Sequence, residues 1–273
     1  MKQIVTYFFL AVLISGCQPP MTHSDGTPPP SSNTIPTDSS NSQQALVIGN
    51  SQYKYTPLNH TINDAKDMTD TLTQLGFTVT IKTDLNRQTM IDAVREFGKR
   101  LSDNQTQKSV GLFYFSGHGI QVNSQNFLLP INNGNIKEEK DLEPNAVHVK
   151  TILDEMEKTN NGINIIILDA CYKNPYPNSK KNKSHCLAQM SPPRGALIAF
   201  SVSENQLSCD ESHGDCGLYT EHLLKELSHA QHERIEDVFM RIRNSVHNAT
   251  GGKQEPWYQA SLRWPPFCFG GCQ

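Results

Sequence analysis

The chain lacks a surplus of positive charge. Its 24 lysines and arginines are outnumbered by 27 aspartates and glutamates, which gives a formal net charge of −3 and a pI near 6.4. A protein that binds nucleic acid needs a broad basic surface for the phosphates. The composition therefore argues against nucleic acid as a partner.

Beyond a polar N-terminal stretch, the sequence also lacks a linker, an internal repeat and a long run of like charge. Its N-terminal apolar run, Ile4 to Ile14, is too short to span a bilayer comfortably. A chain of 273 residues is long enough for one large domain. We predict that residues 44–273 form that domain.

The N-terminal segment has the layout of an export signal. Lys2 precedes the apolar run, and Ser15 and Gly16 come just before Cys17. This layout resembles the bacterial lipoprotein signal, which is cut before a cysteine that receives lipid. Residues 1–16 would then be the signal peptide. An ordinary signal peptide with a chance cysteine is the alternative.

In the lipoprotein interpretation the mature chain begins at Cys17, whose acyl groups hold it to a membrane. Gln18, rather than aspartate, follows it, which in the lipoprotein pattern indicates the outer membrane. Residues 17–43 are rich in Pro, Ser, Thr and Asn and predict a disordered tether. We therefore expect a protein of the bacterial cell envelope, anchored by lipid and facing the periplasm.

Four short apolar runs predict strands that are buried on both faces of a sheet. A fifth strand is predicted from Phe77 to Ile81. The four runs are 45–48, 110–115, 163–168 and 196–200.

Helical patterns lie between and after these strands, with apolar residues three or four positions apart. The first ends at Gly76, a common helix stop. Alternating strands and helices predict an α/β domain with a mostly parallel sheet and helices on both faces. The predicted helices lie around 65–75, 90–101, 149–156, 218–227 and 235–246.

A histidine and a cysteine follow two of the predicted strands directly. Ser116-Gly117-His118-Gly119 comes after one strand, and Asp169-Ala170-Cys171 comes after another. The carboxyl ends of parallel strands meet at one edge of a sheet, where ligands bind. A thiolate attacks carbonyl groups, and a nearby imidazole both forms and stabilises that thiolate. The pair predicts a nucleophile, Cys171, and its base, His118, although each residue alone would also suit a packing role.

The order of histidine and then cysteine, some fifty residues apart, resembles the caspase arrangement. The sequence around Cys171 is similar to the bacterial caspase-like and metacaspase branch of that clan. The resemblance implies a caspase-haemoglobinase fold with a six-stranded sheet and a catalytic dyad. Matching segments are Ala45–Asn50, Ile62–Ala65, Phe113–Gly119, Asp169–Tyr176, Gly217–Thr220 and Gly251–Trp257.

The same resemblance implies roles for further residues. The backbone N–H groups of Gly119 and Cys171 would hold the oxyanion. Asp64 and Asp169 match the acidic pocket with which metacaspase-like enzymes bind Arg or Lys before the scissile bond. Support of a helix start by Asp64 and of a turn by Asp169 is the alternative. Ser201 matches the segment that pairs with the substrate backbone.

In caspase-like enzymes the segment after the catalytic cysteine is often cut during activation. Here it contains Lys180, Lys181 and Lys183, which an enzyme with a preference for basic residues would recognise. A solvated loop that is never cut is the alternative.

Five cysteines remain besides Cys17 and Cys171. An exported protein favours disulfides, and the simplest expectation pairs neighbouring cysteines and leaves Cys186 free, although sequence does not fix connectivity. The expected pairs are Cys209 with Cys216 and Cys268 with Cys272. A zinc site is the weaker alternative, with ligands from His185, Cys186, Cys209, His213 and Cys216.

The predicted function is therefore a cysteine endopeptidase that cleaves protein or peptide substrates after Arg or Lys. A catalytically silent envelope scaffold that holds a peptide in the same cleft is the alternative, and a zinc-stabilised adaptor is a third. The sequence requires no cofactor or metal, and a calcium requirement cannot be derived from it. We expect a monomer.

Overall fold

The computed structural model describes residues 43–103, 109–159, 162–172, 186–203 and 217–273. The predicted signal peptide, Cys17 and almost all of the tether lie outside these residues. Within them, no helix is both long and apolar enough to cross a membrane.

The centre of the fold is a six-stranded sheet in the order β2-β1-β3-β7-β8-β9. The first five strands in this order are parallel, and only β9 is antiparallel. This confirms the predicted mostly parallel sheet. The strands are β1 (Gln43–Gly49), β2 (Thr78–Thr83), β3 (Val110–Gly117), β7 (Ile163–Ala170), β8 (Ala196–Phe200) and β9 (Trp257–Ala260).

Helices cover both faces of the sheet, as predicted. Alternate residues of the central strands face two separate apolar cores, because successive side chains of a strand point to opposite faces. One core contains α1, α5 and α6, and the other contains α2 and α4. The helices are α1 (Thr61–Gln74), α2 (Arg87–Asp103), α3 (Leu142–Asn145), α4 (Val149–Glu157), α5 (Leu218–Leu227) and α6 (Ile235–Ala249).

A small antiparallel sheet was absent from the prediction. It follows β3 directly and has the order β4-β5-β6, with β4 at Gly119–Val122, β5 at Gln125–Leu128 and β6 at Val147–His148. The hairpin between β4 and β5 turns at Asn123 and Ser124, which both have positive φ. It positions the residues after His118 and also the chain beyond Cys186.

Candidate active site

The site lies where β3 and β7 end side by side. These strands pair in parallel, with Ser116 opposite Asp169 and Gly117 opposite Ala170. His118 and Cys171 are the next residues on the two strands. The prediction that neighbouring strands carry the two residues is therefore confirmed.

Both ring nitrogens of His118 lie near backbone carbonyl oxygens. Its Nε2 lies 2.7 Å from the carbonyl oxygen of Thr56. Since a carbonyl only accepts hydrogen bonds, Nε2 carries the proton. Nδ1 lies on the side of Cys171, 3.4 Å from that residue's carbonyl oxygen. Nδ1 is thus the ring nitrogen that faces Cys171.

Two tyrosines hold the imidazole ring. Tyr172 stacks on it with ring centres 4.1 Å apart, and Tyr53 lies 4.3 Å away at a tilt. The Tyr53 hydroxyl accepts the His118 backbone N–H at 2.8 Å and donates to the Leu129 carbonyl at 3.2 Å. The ring therefore has little freedom, and only 4% of His118 is exposed.

Sequence reasoning missed these supporting residues. Tyr172 directly follows Cys171, so its position was a usable signal. Tyr53 and Thr56 lie in an irregular segment after β1, and Thr56 has a φ of +53°. No pattern in the sequence indicates that this segment folds back over the histidine.

Cys171 is joined to Cys186 by a disulfide bond. The expectation that Cys186 is free is therefore wrong. The two residues are 15 positions apart, but their Cα atoms lie 4.5 Å apart. The pairing was not predictable because it depends on where the tertiary structure returns Cys186. In this disulfide form the sulfur of Cys171 cannot act as a nucleophile.

The structure also contains the expected disulfide between Cys268 and Cys272. The other expected partners, Cys209 and Cys216, lie outside the described residues. The zinc alternative likewise falls mostly outside them, and its one described ligand, Cys186, is bonded to Cys171. Within the described ranges no group of three or more potential metal ligands occurs.

Gly119 allows β4 to pass close to the end of β7. A Cβ atom at this position would lie 2.8 Å from the Ala170 Cβ and 3.1 Å from the Leu187 Cδ2. Any larger residue would push β4 away from the site. The candidate oxyanion donors, Gly119 and Cys171, are thus on neighbouring segments.

The two predicted pocket acids lie in one polar cluster beside the dyad. The Ser116 hydroxyl donates to Asp64 Oδ2 at 3.0 Å, and the Thr220 hydroxyl donates to Asp169 Oδ2 at 2.8 Å. Thr220 also shares a 2.6 Å hydrogen bond with the buried Tyr114 hydroxyl. The structure therefore brings together Asp64 and Asp169, and sequence reasoning missed the hydroxyls around them.

Burial raises the pKa of both carboxyl groups. Desolvation, and then repulsion from Asp169, raise the pKa of Asp64 from 3.8 to about 7. Desolvation raises the pKa of Asp169 from 3.8 to about 6, against the lowering effect of nearby hydroxyls. Within the described part of the chain, no lysine or arginine forms an ion pair with either acid. A cation that entered this cluster would favour the charged form of both.

Ser201 lies directly after β8 and is 1% exposed. Its N–H donates to the Leu168 carbonyl at 3.0 Å, and its carbonyl accepts from Gln254 at 2.8 Å. The hydroxyl is close enough to Asp169 to lower that pKa. It nevertheless has no hydrogen-bond partner of ordinary geometry among the described residues.

The lysines of the predicted processing segment, Lys180, Lys181 and Lys183, lie outside the described residues. Their role stays a prediction.

Comparison with known proteins agrees with this geometry. Residues 42–265 match the sequence model of the caspase domain. The human and mouse mucosa-associated lymphoid tissue lymphoma translocation proteins 1 are 34% identical over 131 residues. That match covers 47% of this chain and 15% of each relative. The crystal structure of the Drosophila initiator caspase Dronc matches with a TM-score of 0.59 at 12% identity, over 84% of both chains.

The caspase match spans most of the chain, and the structural match shows the same fold. The histidine and cysteine at the carboxyl edge of β3 and β7 occur within the matched region. The chain belongs to the caspase-domain family of cysteine-type peptidases.

Proposed function

We propose that the chain is a cysteine endopeptidase in which His118 and Cys171 form the catalytic dyad and which cleaves after Arg or Lys. The observation that carries the specificity is the pair of carboxylates, Asp64 and Asp169, which lie beside the dyad and form no ion pair with a lysine or arginine of the described ranges. A guanidinium can bind two carboxylates through several charge-assisted hydrogen bonds. A substrate Asp in the same cluster would add a third negative charge.

The reaction starts when His118 Nδ1 takes the proton of the Cys171 thiol. The thiolate attacks the scissile carbonyl, and the backbone N–H groups of Gly119 and Cys171 stabilise the oxyanion. The imidazolium, held through its Nε2–H by the Thr56 carbonyl, then protonates the leaving amine. Water finally hydrolyses the acyl-enzyme and regenerates the thiol.

A panel of peptides that differ only before the scissile bond tests this proposal. The chain is assayed in a thiol reductant, with Arg, Lys, Ala and Asp at that position. We expect turnover of the Arg and Lys peptides and none in Cys171→Ala. Asp169→Asn should lower kcat/KM for Arg at least about tenfold, since a buried ion pair is lost. A preference for the Asp peptide would contradict the pocket assignment.

A catalytically silent scaffold is the second candidate, and the disulfide at Cys171 is the observation that favours it. A scaffold would keep this bond permanently and hold a peptide in the cleft. It would therefore show no turnover of any peptide after reduction of the bond, while still binding the Arg peptide.

We also propose that Cys17 is acylated and anchors the protein in the bacterial cell envelope. The support is the sequence alone: the positive start, the apolar run and the small residues before Cys17. Partitioning into a detergent phase should be lost in Cys17→Ala. If that variant still partitions with the detergent, the anchor is elsewhere.

A further inference from the structure

The candidate nucleophile is blocked by a cysteine that the peptidase reaction does not use. Cys186 bonds to Cys171 and is only 1% exposed. Cys171 itself is partly exposed at the sheet edge. A disulfide at this position removes the thiol from which His118 would take a proton.

The position of Cys186 is fixed independently of the disulfide. Two residues later, the Ala188 N–H donates to Asn126 Oδ1 at 2.7 Å, and Asn126 Nδ2 donates to the Ala188 carbonyl at 2.7 Å. Asn126 is fully buried in β5. Leu187 packs close to Gly119 and lies in the same apolar core as Ala170. These contacts hold the segment that carries Cys186 without using its sulfur.

We propose that Cys186 is a redox partner of Cys171 and that their disulfide is a reversible latch on the peptidase. The effect of the latch on activity rests on the proposed function, whereas its chemistry does not. Two features carry the inference: the bond engages the one sulfur that the dyad needs, and the Asn126 contacts hold its partner in place. A bond that served only to stabilise the fold would not need that sulfur.

Opening the latch requires a thiol reductant that supplies two electrons, and a dithiol does so in one molecule. A thiolate of the reductant attacks the sulfur of Cys171, the more exposed of the two residues, and Cys186 leaves and takes a proton. The second thiolate of the reductant then attacks its own sulfur in the mixed disulfide and releases Cys171. Two electrons pass from the dithiol, which becomes a disulfide, to the two cysteines. With a reductant that has a single thiol, a second molecule must attack the mixed disulfide, in competition with the Cys186 thiolate, which can reverse the first step.

A disulfide oxidant closes the latch by the reverse of this exchange, and a peroxide closes it by a second route. The Cys171 thiolate attacks the peroxide, forms a sulfenic acid and releases water after proton uptake. The Cys186 thiol then attacks the sulfenic sulfur, forms the disulfide and expels a second water. Without Cys186, further peroxide would convert Cys171 to the sulfinic acid, which thiols do not reduce.

The test uses the full chain purified without reductant and equilibrated in mixtures of reduced and oxidised dithiothreitol. Alkylation and peptide mass spectrometry measure the Cys171–Cys186 bond, and hydrolysis of the Arg peptide measures activity. We expect the disulfide in the purified chain and activity that rises in parallel with its reduction. Cys186→Ser should be active without reductant, and Cys268→Ser/Cys272→Ser, which removes the second disulfide of the described residues, should behave as the native chain.

Peroxide provides the second arm. After treatment, dithiothreitol should restore the native chain fully, whereas Cys186→Ser should gain two oxygens on Cys171 and recover less than about a tenth of its activity. The latch is refuted if the purified native chain carries free thiols at both positions, or if peroxide does not form the bond. A bond that forms and opens reversibly in a chain that never cleaves a peptide would instead refute the proposed function and leave the latch standing.

Discussion

At the scale of single residues, the proposed role of the acidic pair implies that substrate binding depends on pH. The pKa values of Asp64 and Asp169, about 7 and about 6, place both protonations between pH 5 and pH 8. As the pH falls through these values both carboxyls lose the charge that attracts a guanidinium. Part of the shift at Asp64 comes from the charge of Asp169, so the two groups titrate together.

We therefore predict that the advantage of arginine over neutral citrulline, measured as the ratio of peptide Kd values, grows at least about tenfold from pH 5 to pH 8. Cys171→Ala allows the measurement without turnover. In Asp169→Asn the pH dependence of this ratio should weaken. Asp70→Asn, an exposed change on the helix that carries Asp64, should leave it unaltered. A ratio that is constant across this range would show that the carboxylates do not bind the side chain.

The same acids should destabilise the folded chain at high pH. Because the folded-state pKa of Asp169 is raised to about 6 from 3.8, its contribution to stability is complete below its ordinary pKa and is lost as the pH rises through about 6. Asp169→Asn never carries the charge but keeps the acceptor for Thr220. We predict that its Tm relative to the native chain is about 2–4 °C higher at pH 8 than at pH 5. Thermal scans of both oxidised proteins at pH 5 and pH 8 test this prediction. A Tm difference between variant and native chain that is the same at both pH values would contradict it.

We predict that Tyr53 positions His118 in the proposed dyad. In Tyr53→Phe the backbone N–H of His118 loses its acceptor, which costs about 1–3 kcal/mol when the group stays buried. We predict that kcat falls about tenfold while KM hardly changes. Tyr55→Phe, at an exposed tyrosine two residues away, is the matched control. A lower Tm with an unchanged kcat would assign Tyr53 a purely structural role.

At the scale of elements, strand β5 controls the position of Cys186. Asn126→Ala removes both contacts to Ala188, so Cys186 should meet Cys171 less often. We predict that the ratio of oxidised to reduced dithiothreitol at which half of the chain carries the disulfide is at least about threefold higher in this variant. Asn126→Asp, which keeps one contact, should lie between, and the exposed Gln125→Ala on the same strand should match the native chain. An unchanged midpoint of disulfide formation in Asn126→Ala would show that β5 does not affect the redox chemistry.

The elements differ in how well the sequence indicates them. Strands β1, β3, β7 and β8 are buried on both faces, so each appears as a continuous apolar run. Of the missed strands, β4, β5 and β9 are four residues long, β6 has only two residues, and all four mix polar with apolar residues. The hairpin and the return of Cys186 depend on contacts such as Asn126 with Ala188, 62 residues apart. Local patterns carry no information on pairs at that separation.

At the scale of the whole molecule, the sheet fixes the positions of His118 and Cys171, because both faces of the sheet are packed against helices. The residues before His118 and Cys171 belong to strands that contribute to both cores, and the strands pair along their full length. The edge geometry was therefore predictable from two motifs and a parallel sheet. The state of the cysteine was not, because it depends on the segment that returns after residue 185.

The disulfide and the predicted processing segment bear on each other. Any cut after Lys180, Lys181 or Lys183 falls between Cys171 and Cys186 in the sequence. The disulfide would then join the two fragments, and it would also prevent Cys171 from making the cut. Self-processing should therefore begin only after reduction, and reoxidation should link the products again.

We predict that the reduced chain is cut after one of these lysines because an enzyme that accepts basic residues meets them in its own sequence. Gels should show one band without reductant after reoxidation and two bands with it, and intact masses should locate the cut. The uncut oxidised chain and reduced Cys171→Ala are the controls, and both should stay whole. Replacement of all three lysines by glutamine should abolish the cut and leave hydrolysis of the Arg peptide in place if processing is not required. A reduced chain that is fully active yet remains a single species would show that the segment is not a substrate.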